Sequence, residues 1–352
     1  MPQPKNDDQR AVTPHSYGQK TRPATLAIVI PAWKRQYLDE TLKSIAAQSR
    51  KTFTAYVGDD CSPYDLESVC RKWASSIDIK YHRFPSNVGQ RNLPLHWERC
   101  IDLCDEEWIW VFGDDDTMDE DCVERFFQEV EQASQPCNLY HFNTRVIDHH
   151  GEVVSSSPDL PSHLEAMDYL WMQMTGAIST YLPDFIFRKE KYTQHGRFQH
   201  FPRGWFSDIA LWVTLARESG IRTLSGPRVN WRLSGLNISS NHTTDRHLKL
   251  DASIRFLCWV QRHLEHHYGR RVRQRFNALR LRWLLRQSTS LGVSPFLLLE
   301  MTGSNLRLLF ADFCKTRYYF SLLRLQLLNT VTTPVKKRAV YIARSLQDRN
   351  RS

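Results

Sequence analysis

Apolar and polar positions alternate along residues 24–135 in two periods. "TLAIVIPA" (25–32) is a β-branched apolar run closed by proline, the pattern of a buried strand. "YLDETLKSIAAQS" (37–49) follows with Leu38, Leu42, Ile45 and Ala46 at helical spacing. The same pair recurs as "TFTAYVGDD" (52–60) with "DLESVCRKWASS" (65–76), and as "IDIKYHRF" (77–84) with "LPLHWERCIDLC" (93–104), whose Pro94 falls in the first helical turn, where proline is tolerated. "EEWIWVFG" (106–113) and "EDCVERFFQEVEQA" (120–133) form the fourth pair. Strands alternating with helices of this length predict an α/β fold with a mostly parallel, Rossmann-like sheet covered on both faces.

After about residue 136 the alternation fades. "CNLYHFNTRVID" (137–148) and "GEVVSSS" (151–157) read as a hairpin, and "PDFIFRKEKY" (183–192) as a further strand. "WFSDIALWVTLARESG" (205–220) reads as a helix stopped by Gly220, with extended chain over 221–235. Beyond Asp245 two Arg- and Leu-rich amphipathic helices are expected, over about 246–286 and 304–346. The expected organisation is a disordered leader (1–23), an α/β domain (24–240, divided into 24–135 and 136–240), and a basic helical region (241–352).

Charge sharpens that division. The 352-residue chain carries +9, and from Arg246 to the end there are 21 Lys and Arg against 5 Asp and Glu, a net of +16. Residues 1–245 therefore carry −7. A 41% hydrophobic content is enough for a core and excludes a wholly disordered chain. No run of roughly 18 apolar residues suggests a membrane span, and residues 1–23 have no apolar core of a signal peptide. The eight cysteines form no CxxC pair, so reduced thiols in a cytoplasmic protein are expected.

In open parallel sheets ligands sit beyond the carboxyl ends of the strands. That rule gathers Pro31 to Arg35, Gly58 to Ser62, Pro85 to Arg91 and Gly113 to Thr117. The last opens on Asp114, Asp115 and Asp116, three acids at a buried strand end. Helix capping needs one such side chain, not three. A divalent cation carrying phosphate oxygens would resolve the repulsion.

"IVIPAWKRQYLDETLKSIAAQS", "AYVGDDCSP", "NVGQRN" and "WVFGDDDTM", in this order and spacing, resemble the family 2 glycosyltransferases of the GT-A fold, over about residues 24–240. The resemblance implies a nucleotide-base pocket from Pro31, Ala32, Trp33 and Arg35, with Asp60 accepting from the base. Trp33 has core packing as its alternative. Cys61 stands where the family has glycine, which matters little if the backbone there avoids positive φ. Gly89 and Arg91 would approach the donor, Arg91 having a surface salt bridge as its alternative. Asp114-Asp115-Asp116 matches the DxD motif: Asp115 would help bind the donor, Asp114 would hold the ribose or a metal-bound water, and Asp116 would bind Mg²⁺ or Mn²⁺ directly. Asp208 matches the catalytic base of inverting members, with helix capping by Asp208 or Ser207 as the alternative. Arg232 matches an arginine near the diphosphate. Ser234 stands at a usual histidine position, leaving His242 as a weak substitute ligand.

The implied activity is inverting, metal-dependent transfer from a nucleotide sugar to a glycan or lipid-linked glycan acceptor in cell-surface polysaccharide synthesis. A metal-dependent phosphohydrolase would use the acids but leave Pro31–Arg35 and Asp208 idle. A nucleic-acid-binding protein would use the basic tail, but no motif that reads DNA or RNA is present, so no nucleic-acid partner is expected. The tail is instead expected on the anionic inner face of the cytoplasmic membrane, its apolar stripes in the lipid interface. The alternative is that these helices pack on the catalytic domain or join two protomers.

Overall fold

A computed structural model describes residues 25–235, 245–294 and 298. The expected leader, His242 and the helix over 304–346 lie outside the described residues.

The first half follows the predicted alternation: β1 (Leu26–Ala32), α1 (Leu38–Ala46), β2 (Phe53–Asp59), α2 (Glu67–Trp73), β3 (Ile79–Arg83), α3 (Leu93–Ile101) and β4 (Trp108–Val111). Residues Leu26 to Ile30 are wholly buried because β1 is central, with β2 and β4 parallel on either side. Each such aliphatic side chain contributes about 1.5–3 kcal/mol by leaving water. Helix α3 starts where expected: Asn92 Oδ1 accepts from Leu95 N at 3.3 Å, with Pro94 in the first turn.

The second half adds β5 (Thr117–Met118), α4 (Cys122–Gln132), β6 (Leu139–Ile147), β7 (Val153–Ser156), β8 (His163–Leu164), α5 (Ala166–Thr175), β9 (Phe185–Arg188), α6 (Lys189–Gln194), α7 (Ser207–Ser219) and β10 (Ile221–Arg232). The sheet runs β3-β2-β1-β4-β9-β6-β10-β5, with β7 beside β6 and β8 beside β10. β9 is antiparallel to both β4 and β6 and joins the two halves into one sheet. The expected hairpin is β6–β7, and α7 stops at Gly220, whose φ of +67° suits glycine. Helix α5 was not anticipated: its sequence, "AMDYLWMQMT", lacks the polar face that would announce a surface helix.

The basic region differs from expectation. The first long helix is two, α8 (Arg246–His267) and α9 (Arg270–Ser290), parted at Tyr268–Gly269. Their apolar residues face protein rather than lipid: Leu250, Ile254, Phe256, Leu257, Val260, Leu264, Phe276, Trp283 and Leu284 are buried in the same core as α5 and α7. An apolar stripe already covered by the chain's own core cannot also enter a bilayer. Arg255, Arg262, Arg271, Arg275 and Arg282 point outward. No described helix is long and apolar enough to cross a membrane.

Candidate active site

The strand-end rule brings the four segments together. Asp114 Oδ2 accepts from Trp33 N at 2.9 Å and Lys34 N at 2.7 Å, tying the end of β4 to the end of β1. Ser62 Oγ donates to Trp33 O at 2.7 Å, adding the end of β2. The 85–91 loop is held by Asp60, which accepts from Val88 N and Gly89 N at 2.9 Å each and from the Arg99 guanidinium. Gly89 is required for that approach, since a Cβ there would lie 2.6 Å from Asp60 Oδ2. Asp60 is therefore a buried clamp, and the free acceptor for a nucleotide base expected of it is taken up inside the protein. Burial raises its pKa, against the pull of the two amides.

Trp33 is not a core residue. It is 44% exposed and stands edge-on to Tyr64, itself 51% exposed, with ring centroids 6.4 Å apart. Two exposed aromatics at a strand end offer a planar ligand a face and an edge. Pro31 is half-buried below them and Ala32 buried, while Arg35 turns to the Asp65 carbonyl at 3.1 Å. Arg91 is exposed, and it forms no salt bridge with any described residue. Cys61 does take positive φ, +55°, contrary to the condition set by its replacing glycine.

The three acids are all buried, but not uncompensated. Lys34 Nζ lies 3.1 Å from Asp114 Oδ1 and 2.5 Å from Asp115 Oδ2, and Ser234 Oγ donates to Asp115 Oδ2 at 3.0 Å. Burial opposes the Lys34 charge, yet Asp114 and Asp115 outweigh it and raise its pKa. Asp116 Oδ1 accepts from Arg232 N at 2.8 Å. Burial, then the Asp115 charge, raises the Asp116 carboxyl well above its ordinary range. Arg232 differs from expectation. It is 1% exposed, and its guanidinium bonds Asp115 O, Asp148 O and Glu40, so it braces the cluster from beneath instead of reaching a diphosphate.

Among the described residues no three His, Cys, Asp or Glu side chains form a ready metal cage. Converging buried carboxylates still suit a cation that arrives with phosphate and water ligands of its own, as Mg²⁺ does. Asp116 and Asp114 would hold it, and Lys34 would have to share or yield Asp114.

Asp208 lies in the first turn of α7, whose N-cap is Phe206 in a left-handed conformation (φ +67°). Asp208 Oδ1 accepts from the next amide, Ile209 N, at 2.9 Å, and Ser207 Oγ accepts from Phe201 N, so neither is the helix cap. Burial pushes the Asp208 carboxyl up to about 6. Asp184, fully buried and accepting from Tyr181 N at 2.7 Å, is within electrostatic reach of both Asp208 and Asp116. Burial, with the Asp208 charge adding to it, pushes Asp184 up to about 8. Tyr181 stacks on Trp231 with centroids 4.1 Å apart. Tyr64, Asp184 and Tyr181 escaped the sequence reading because no spacing rule ties them to the strand ends. His141 is buried, and His195 and His200 pair with Glu218 and Glu98, as ordinary histidines.

The architecture, a mixed sheet between helices with its acids at the end of β4, is the GT-A glycosyltransferase fold. Two crystal structures of residues 1–349 of S. aureus TarS are similar to this chain at 14% sequence identity, each covering 81% of both chains. The TM-score is 0.61 for the complex with UDP-GlcNAc and 0.59 for the second structure. At that identity the likeness shows the fold. Residues 27–172 match the family described as glycosyl transferase family 2, so the resemblance carried by the four motifs is shown. No curated protein matches the chain.

Proposed function

We propose that this protein transfers a glycosyl group, with inversion, from a nucleoside-diphosphate sugar to a hydroxyl of a glycan acceptor in surface-polysaccharide synthesis. The observation that carries this reading is the pair of carboxyl groups with separate tasks: a buried acid cluster at the end of β4, and Asp208 at the start of α7 with a pKa near 6. A carboxylate ionised just below neutrality is matched to taking a proton from an acceptor hydroxyl.

The nucleotide base would lie against Trp33 and Tyr64. The diphosphate would point to Asp114–Asp116, where a bound Mg²⁺ or Mn²⁺ would supply positive charge to the departing phosphate. As the acceptor oxygen bonds the anomeric carbon, Asp208 takes its proton and the carbon–oxygen bond to the diphosphate breaks on the opposite face. Asp184 stays protonated at neutral pH and spares Asp208 a second adjacent negative charge. The TarS complex contains UDP-GlcNAc, which makes UDP-sugars the first donors to test.

Release of nucleoside diphosphate from a panel of nucleotide sugars, with Mg²⁺ or Mn²⁺, tests the reading. Metal-stimulated release from at least one donor is expected. Release of a sugar phosphate instead would identify a phosphohydrolase. For location, the outward arginines of α8 and α9 support adhesion to an anionic cytoplasmic membrane face by charge alone, each contributing about 1 kcal/mol near such a surface. Vesicle binding abolished by salt is the expected sign; salt-resistant binding would mean insertion.

A further inference from the structure

The C-terminal helices do more than cover the core. Between α5, α7, α8 and α9 lies a cavity of about 340 Å³, within the roughly 300–1,000 Å³ range of ligand pockets. All of its described lining, from Gln173 to Gln287, lies beyond residues 27–172, the span of the family match.

Its composition is specific. Phe206 stacks on Phe256 (centroids 5.1 Å apart) and packs against Trp283 at the same distance, so α7, α8 and α9 each give one ring to a continuous aromatic wall. Gln173, Ser179 and Gln287 add amides and a hydroxyl, and among the described residues no carboxylate lines the space. The one cation among the described lining residues, Arg286, is used as a strut: Nη1 donates to Thr175 O at 2.5 Å and Nη2 to Met174 O at 2.6 Å. That strut depends on Gly176, which ends α5 at φ +75° and whose Cβ, if present, would lie 2.9 Å from Arg286 Nη1. Two residues of the lining, Phe206 and Ile209, flank Asp208 in the chain. The cavity is thus built onto the helix start that carries the proposed base.

We propose that this cavity is an acceptor subsite that seats an uncharged sugar ring, with Phe206 and Trp283 against its C–H face and Ser179, Gln287 and the side-chain carbonyl of Gln173, whose Nε2 is held by Tyr169 and Thr180, hydrogen-bonding its hydroxyls. It rests on the glycosyl-transfer reading and adds where the acceptor sits, what class it belongs to, and that α9 selects it. Aromatic faces combined with amides match a ring that is apolar on its faces and polar at its edge. A cation finds no carboxylate partner among the described residues, and an anion meets an arginine whose terminal nitrogens are already engaged.

The test titrates methyl glucoside, galactoside, N-acetylglucosaminide and glucuronide against the full chain, read by tryptophan fluorescence, in wild type and in Gln287→Leu and Ser179→Ala. These two half-buried or exposed polar positions can change without opening the core. Saturable quenching by a neutral pyranoside, weakened at least tenfold in Gln287→Leu while nucleotide binding is unchanged, supports the subsite. No quenching by any neutral pyranoside, binding of the glucuronide alone, or equal binding by wild type and both variants would overturn it. Nucleotide-sugar turnover by the wild type is scored separately. Its absence would fail the transfer reading, whereas turnover together with sugar binding indifferent to Gln287 would fail the subsite alone.

Discussion

Lys34 Nζ bridges Asp114 Oδ1, at 3.1 Å, and Asp115 Oδ2, at 2.5 Å. One lysine from the end of β1 thus neutralises part of an acid cluster at the end of β4 and pins the two strand ends together. The sequence argument that three adjacent acids demand a metal was incomplete, because Lys34 sits 80 residues away in the chain.

Lys34→Met should therefore destabilise the metal-free protein by about 1–3 kcal/mol at pH 7. That is less than the roughly 3–5 for breaking a fully buried pair, since Lys34 keeps some contact with water. The deficit should shrink as pH falls, because burial already raises the Asp115 and Asp116 pKa values and protonation removes the repulsion. Mn²⁺ should restore more stability to the variant than to wild type. Thermal melts at pH 5 and 7, with and without Mn²⁺, measure this; equal melting temperatures would remove Lys34 from the account.

Trp33→Ala and Tyr64→Ala should each weaken nucleoside-diphosphate binding by roughly tenfold or more, since stacking on an aromatic side chain is worth about 1–3 kcal/mol per base. Both rings are largely exposed, so the fold should not suffer. Calorimetric titration with UDP would decide it, and unchanged affinity in both variants would move the base pocket elsewhere.

Cys61→Gly should stabilise the protein. Cys61 adopts φ +55°, a conformation that costs a non-glycine residue on the order of 1–3 kcal/mol, partly offset by glycine's freer unfolded chain. A rise in denaturation midpoint at unchanged slope is expected. A fall would show that the Cys61 side chain contributes more than the strain removes.

The βαβ half was legible because each strand and helix carries its own period, with Pro94 marking a helix start locally, as Gly220 marks a helix stop in the second half. Asp208 was singled out through a short motif that the family resemblance supplies. What lay outside reach was pairing across long separations. Asp60 and Arg232 look like ligand-binding residues in the chain, and only the folded structure shows their hydrogen bonds committed to Gly89 and to Glu40. Similarly, an apolar stripe with arginines behind it reads alike whether it meets lipid or protein. The burial of Phe256 and Trp283 against Phe206 settles that for α8 and α9.

The central claim is that Asp208 is the base of a glycosyl transfer, and single-turnover transfer by Asp208→Asn over a pH series tests it most directly. In wild type the rate should fall as pH drops through about 6, where the Asp208 carboxylate takes a proton and can no longer accept one. Asn has the same shape and no titration, so donor affinity should stay within about twofold. The rate should drop at least about a hundredfold, and its dependence near pH 6 should vanish. A variant that transfers at the wild-type rate, or that keeps the same fall near pH 6, would contradict the account.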